Sequence, residues 1–148
     1  MAAGRRSARR QAVFVLYQKD LLELTLEAAL ERIGDAELDP YARALVLGVA
    51  QEQVAIDSVL QPHVAGWSLE RLGILERSIL RLATYELLWE AGVPEAVVID
   101  EAVELAKRFC SDEAGALVNG VLGSLAISEK ERVLSVRREE DRAGEVTV

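Results

Sequence analysis

The chain is poor in the residues that staple, ligate or break. In 148 residues it has one cysteine, one histidine and three prolines, and aromatic residues make up only 5%. Cys110 has no second cysteine to pair with, so a reducing, cytoplasmic compartment is expected. One His and one Cys leave no ordinary His/Cys metal cluster, and no cofactor is expected. Long apolar runs are missing too. Ala12–Tyr17 and Ala44–Ala50 fall far short of the ~20 residues that a membrane span needs. A secretory leader is not expected, because the basic stretch Arg5–Arg10 is followed by a short apolar run and then Lys19 and Asp20. Strand alternation is absent: Val97-Val98-Ile99 is β-branched but lies in the helical stripe Val98, Ala102, Leu105, Ala106, Phe109.

What is present is apolar and helix-forming. Hydrophobic residues are 51% of the chain, which excludes disorder of the whole and supports one compact domain, or two small halves sharing a core. The net charge of −8 is uneven. Residues 1–19 carry +5, residues 20–62 carry −7, residues 63–127 carry −5 and residues 128–148 carry −1. Screening acts over roughly 8 Å at physiological salt, so a basic end on an acidic body can hold a polyanion locally.

The expected fold is all-α, with six or seven helices in two packed bundles. Helix one runs from about Arg5 to Leu22, and helix two from Thr25 to Ile33, closed by Gly34. Asp39-Pro40 opens a helix to about Leu60. Pro62 and Gly66 mark a break, giving halves of about 5–62 and 67–127 within one domain, 1–127. Ser68 caps a turn over Leu69–Leu72, and a long helix covers Ile74–Ala91. Gly92 and Pro94 precede Glu95–Phe109, and Ser111 or Asp112 caps a last helix to about Ile127. Residues 128–148 are expected to be a charged tail, frayed or disordered.

The first helix carries the sharpest pattern. At 100° per residue Arg5, Arg9, Arg6 and Arg10 fall at roughly 0°, 40°, 100° and 140°, with Tyr17 near 120°. Ala8, Ala12, Val15 and Leu16 make a different, apolar face. Arginines leading to an aromatic ring suit single-stranded RNA: guanidinium groups neutralise phosphates and the ring stacks on an unpaired base. The same pattern also fits a solvated helix end with a core tyrosine.

The run Arg5-Arg6-Ser7-Ala8-Arg9-Arg10-Gln11-Ala12 with Tyr17 resembles the N-terminal signature of the NusB family of bacterial transcription antitermination factors. Three further blocks are similar to the family, in order: Glu76–Leu87, Val98–Lys107 and Val118-Asn119-Gly120-Val121-Leu122. The resemblance covers about residues 5–126. It implies an all-helical, non-catalytic protein that binds the boxA element of nascent RNA, above all in ribosomal RNA leaders. It implies NusE, a small-subunit ribosomal protein, as direct partner, with other Nus factors and RNA polymerase reached indirectly. By position, Arg5, Arg6, Arg9 and Tyr17 match the RNA-contacting start of the family, and Glu76 an acidic position that meets NusE. Two positions depart. Leu117 stands where many members have an RNA-side Phe, and Arg10 replaces a common acidic residue.

Other residues read two ways. Arg77 and Arg81 are expected to pair with acids such as Glu86, Asp100 or Glu101, since charges among apolar side chains need partners. Glu76, Leu80, Ala83 and Leu87 share a face that is either a partner groove or core; Glu76 and Leu80 are taken as partner-binding candidates. Leu117 and Asn119 are taken as RNA-side candidates, although Asn119 also suits a helix terminus. Gly115, Gly120 and Gly123 are expected at close helix packing, and His63 in a surface or capping role. Two rival functions remain: a helix-bundle scaffold that binds protein alone, and a regulatory RNA-binding module related to ribosomal RNA methyltransferases; under any of these readings the apolar helix faces leave a homodimer open. With only a charged tail after Ile127, no catalytic domain is expected.

Overall fold

The computed structural model describes residues 2–34, 37–64, 66, 68–90 and 92–146. Six α-helices account for most of them: α1 (Ala2–Leu21), α2 (Leu26–Ile33), α3 (Pro40–Leu60), α4 (Ile74–Leu88), α5 (Glu95–Phe109) and α6 (Asp112–Val146). Short 3-10 turns at Gln61–His63 and Leu69–Arg71 join α3 to α4, and no strand occurs among the described residues.

Local chemistry fixes the helix ends. Thr25 Oγ1 accepts from the Ala28 amide at 3.1 Å and starts α2, which Gly34 ends with a φ of +80°. Asp39 Oδ1 accepts from the Tyr41 amide at 2.7 Å, with Pro40 in the first turn of α3. The Asp39 amide in turn donates to Gln11 Oε1 at 2.9 Å, which ties the start of α3 to α1. Ser111 Oγ accepts from the Ala114 amide at 3.0 Å and opens α6. Ser68 makes no such bond; the Leu69 amide is taken instead by Gln61 Oε1 at 3.0 Å. The long helix α4 stops at Leu88, short of the expected end at Ala91, a residue outside those described.

One continuous core holds the helices together. α1 packs on α2, α3 and α4, and α5 packs along α6. α4 is the hub, touching α1, α3, α5 and α6. Leu45, Ile56 and Leu60 of α3, Ile79 and Leu80 of α4, and Leu122 and Leu125 of α6 are wholly withdrawn from water. Burial of each such side chain stabilises the fold by roughly 1.5–3 kcal/mol. Gly48 lets α3 meet α4 closely, since a Cβ there would run into the Tyr85 ring. Among the glycines of α6, Gly115 packs closely as expected, since a Cβ there would run into the Lys107 side chain, but Gly120 and Gly123 differ. A Cβ at Gly120 or Gly123 would meet nothing within 4 Å, so helix packing does not require glycine at either.

The last helix runs past its expected end. α6 does not stop near Ile127 but continues as a helix to Val146, while Thr147 and Val148 lie outside the described residues. Its residues are good helix formers, and charges of opposite sign recur at helical spacing. Arg132 Nη2 lies 2.6 Å from Glu129, and Lys130 Nζ lies 3.3 Å from Glu95 of α5.

Candidate nucleic-acid interface

The arginines of α1 do not share one fate. Arg6 is exposed, and its Nε donates to both carboxylate oxygens of Glu101 on α5, at 3.0 and 3.2 Å. Arg5 is exposed and lies over the Tyr41 ring, 5.0 Å from its centroid. Arg10 is half-buried, 5.5 Å from the centroid of Phe109, and its Nε is withdrawn from water with no hydrogen-bond partner. Arg108, from the last turn of α5, lies 5.4 Å from the same ring. Phe14 meets Phe109 edge to face at 5.1 Å. Phe109 keeps 37% of its surface exposed. Arg6, Arg10, Arg108, Glu101, Glu104 and Leu105 line a cleft of about 260 Å³ between α1 and α5.

Arg9 is the exception, and it corrects the sequence reading. Its side chain is only 5% exposed, and Nε donates to Glu86 Oε1 at 2.8 Å and Oε2 at 3.0 Å. A guanidinium so engaged is not presented to a phosphate. Tyr41 donates its hydroxyl to Glu86 Oε2 at 3.2 Å. Burial opposes the Arg9 charge, but the hydrogen bond and charge of Glu86 outweigh it and hold the guanidinium above its ordinary value. Burial, then the Glu86 charge and hydrogen bond, push Tyr41 up to about 12. Breaking such a buried pair from one side costs about 3–5 kcal/mol, because it strands the other charge.

The rings that the arginines meet are therefore Tyr41 and Phe109, while Tyr17 is half-buried further along α1. Phe109 was missed because the sequence placed it at the end of an apolar stripe. The signal was present in its flank, Lys107-Arg108-Phe109, at the point where α5 ends.

Glu76 stands apart from this corner. It lies in the first turn of α4, where its carboxylate folds back over Gly73 on the side of Cys110. Burial first, then the neighbouring Glu76 carboxylate, push Cys110 up to about 11, so the thiol stays protonated at neutral pH. Glu76 and Leu117 line one groove of about 320 Å³ together with Arg71, Leu72, Gly73, Ser111, Glu113 and Ala114. Leu117 is half-buried and packs on the core, whereas Asn119 is exposed on α6. Leu80 is fully buried, so it is core and not a partner contact. Arg77 and Arg81 are paired as expected but with other acids. Arg81 reaches Asp57 and Asp20, and Arg77 lies 3.7 Å from Asp20. Glu86 and Glu101 belong instead to Arg9 and Arg6. His63 Nδ1 lies 2.8 Å from Ser124 Oγ, which ties the turn after α3 to α6.

Among the described residues no group of three or more His, Cys, Asp or Glu is placed to hold a metal, and no helix is long and apolar enough to cross a membrane.

Known proteins give this geometry a context. A profile of the NusB family matches residues 6–126. The transcription antitermination protein NusB of Exiguobacterium is 46% identical over 122 residues, 82% of this chain and 95% of its own. That of Streptomyces avermitilis is 40% identical over 146 residues, 93% of this chain and 99% of its own. Among solved structures, T. maritima NusB superposes with a TM-score of 0.76 at 38% identity, covering 82% of this chain and 89% of that one. A chain from a complex of the antitermination factors NusB and NusE with dsRNA gives 0.77 at 30% identity, covering 86% and 99%. With its six helices, its sequence blocks and these matches all in agreement, the chain belongs to the NusB family.

Proposed function

We propose that this protein is a cytoplasmic, non-catalytic transcription antitermination factor. It binds boxA-type RNA of ribosomal RNA leaders together with NusE and supports antitermination by RNA polymerase with other Nus factors. The observation that carries this reading is the likeness, over 86% of this chain and 99% of the other, to a chain solved in a complex of NusB and NusE with dsRNA. Relatives matched along nearly their whole length bear the antitermination name, which favours this role over a methyltransferase module.

The chemistry of the α1–α5 corner supports it. Arg5, Arg6, Arg10 and Arg108 supply cationic donors, and the exposed Phe109 ring supplies a surface for an unpaired base. Glu76 is the proposed NusE contact, while Leu117 in the same groove and Asn119 on α6 remain RNA-side candidates.

The test is fluorescence anisotropy with a labelled boxA RNA, with and without NusE, across a salt series. Binding is expected to tighten with NusE. Replacing Arg10 and Arg108 by Ala should flatten log K against log salt by about 0.7 for each phosphate left without its arginine. No RNA binding under either condition would leave the scaffold reading in its place.

A further inference from the structure

We infer that Arg9 is a positioning residue of the RNA face, acting through Glu86 and Tyr41 and not by touching RNA. The inference rests on the proposed RNA-binding role. Three helices meet at this point: Arg9 from α1, Tyr41 from α3 and Glu86 from α4. The Arg9–Glu86 pair sits among Val13, Ile79, Leu82, Val98 and Leu105, where a charge tolerates little displacement from its partner. That fixes the rotation of α1 about its own axis. Arg6 and Arg10 are then delivered to the α5 side, against Glu101 and Phe109. Arg5 is delivered to the α3 side, over the Tyr41 ring. Tyr41 links both functions, since its hydroxyl holds Glu86 while its face receives Arg5.

Stability alone does not account for the pair. Well-packed hydrophobic residues at a buried ion pair are often as stable or more so. What apolar residues do not supply is direction. A slippery contact would hold α1 on the body while letting its arginines turn.

Glu86→Gln separates the possibilities by sign. If Arg9 contacts RNA, neutralising the carboxylate that competes for it tightens binding. If Arg9 positions its neighbours, binding weakens, by about 2- to 30-fold for an indirect network of this kind. Tyr41→Phe keeps the ring under Arg5 and removes the bond to Glu86, and it should weaken binding less, in the same direction. It also carries the test if Glu86→Gln fails to fold. The double variant Arg9→Met/Glu86→Leu should keep its denaturation midpoint yet bind boxA RNA more weakly. Each affinity is measured by anisotropy on protein shown by circular dichroism to be fully folded. Tighter or unchanged binding in Glu86→Gln or Tyr41→Phe, or full affinity in the folded double variant, overturns the inference. A parent protein that binds no RNA, alone or with NusE, overturns the RNA-binding role and this inference together.

Discussion

Arg81 grips both carboxylate oxygens of Asp57, with Nε and Nη2 each at 2.8 Å, and its remaining nitrogen Nη1 reaches Asp20 at 3.0 Å. One guanidinium thus clamps α3 and the end of α1 onto α4. The arrangement uses the planar fork of arginine, which a lysine ammonium cannot reproduce. Arg81→Leu leaves two carboxylates facing an apolar side chain. Because Asp57 keeps 31% of its side-chain surface, the expected loss is about 2–3 kcal/mol, below the ~3–5 of a fully buried pair. Arg81→Lys should recover less than half of it. Urea unfolding followed by circular dichroism measures both, and an unchanged midpoint for Arg81→Leu would show the clamp to be dispensable.

The exposed ring at the end of α5 gives a second prediction. Phe109→Leu retains an apolar neighbour for Phe14 but offers no π-face. RNA affinity should fall by about 1–3 kcal/mol, most visibly at high salt where the arginine contribution is screened. Thermal stability should change little. Retention of full affinity in about 0.5 M salt, well above physiological screening, would remove Phe109 from the RNA face.

For NusE, the residue to reverse is Glu76. At the proposed NusE contact, Glu76→Lys introduces like-charge repulsion, which costs several kcal/mol. The same change places a cation in the first turn of α4, an intrinsic penalty of about 0.3–1 kcal/mol. A large loss of NusE affinity in a protein with a near-parental melting temperature is the expected pattern. Equal losses in melting and binding would assign Glu76 to the fold alone.

Alkaline titration follows from Cys110 and Tyr41. Cys110 is raised from 9.0 to about 11 and Tyr41 from 10.0 to about 12. In both cases the folded state holds its proton more tightly than the unfolded chain. Stability from these groups is therefore fully present below pH ~9 and declines as pH rises towards 12. Cys110→Ala and Tyr41→Phe should each flatten part of that decline. Iodoacetamide labelling supplies a local check: Cys110 should react slowly until well above pH 9, and Glu76→Gln should bring the onset down.

Most of the fold was legible in the sequence because its helices declare themselves locally. Thr25, Gly34, Asp39-Pro40 and Ser111 are end signals, and each is used at or within a residue of the expected place. The site was legible only as far as periodicity reaches. Helical angles put Arg9 between Arg5 and Arg6, yet its partner Glu86 comes from 77 residues away, and no local pattern announces such a pairing. The same limit reassigned the partners of Arg77 and Arg81. Leu80 read equally as groove or core, and only the packing of α4 at the centre of the molecule decided for core. The tail stayed open between a frayed helical extension and a disordered chain for another reason. Interspersed charge describes a solvated surface, and a largely exposed helix satisfies that description as well as a disordered chain does.

That long last helix has a thermodynamic consequence. Up to Ala126 it is bound to the rest of the molecule through Val118, Val121, Leu122 and Leu125. Beyond Ile127 it continues for about 30 Å with side chains turned mostly to solvent. Isolated helices of this length are marginal in water, so the outer segment can fray and reform while the core stays closed. One unbroken helix then spans two regimes of amide exchange. Protection near Leu122 should reflect global unfolding of the protein, and protection near Arg138 only the helix–coil equilibrium of the segment itself.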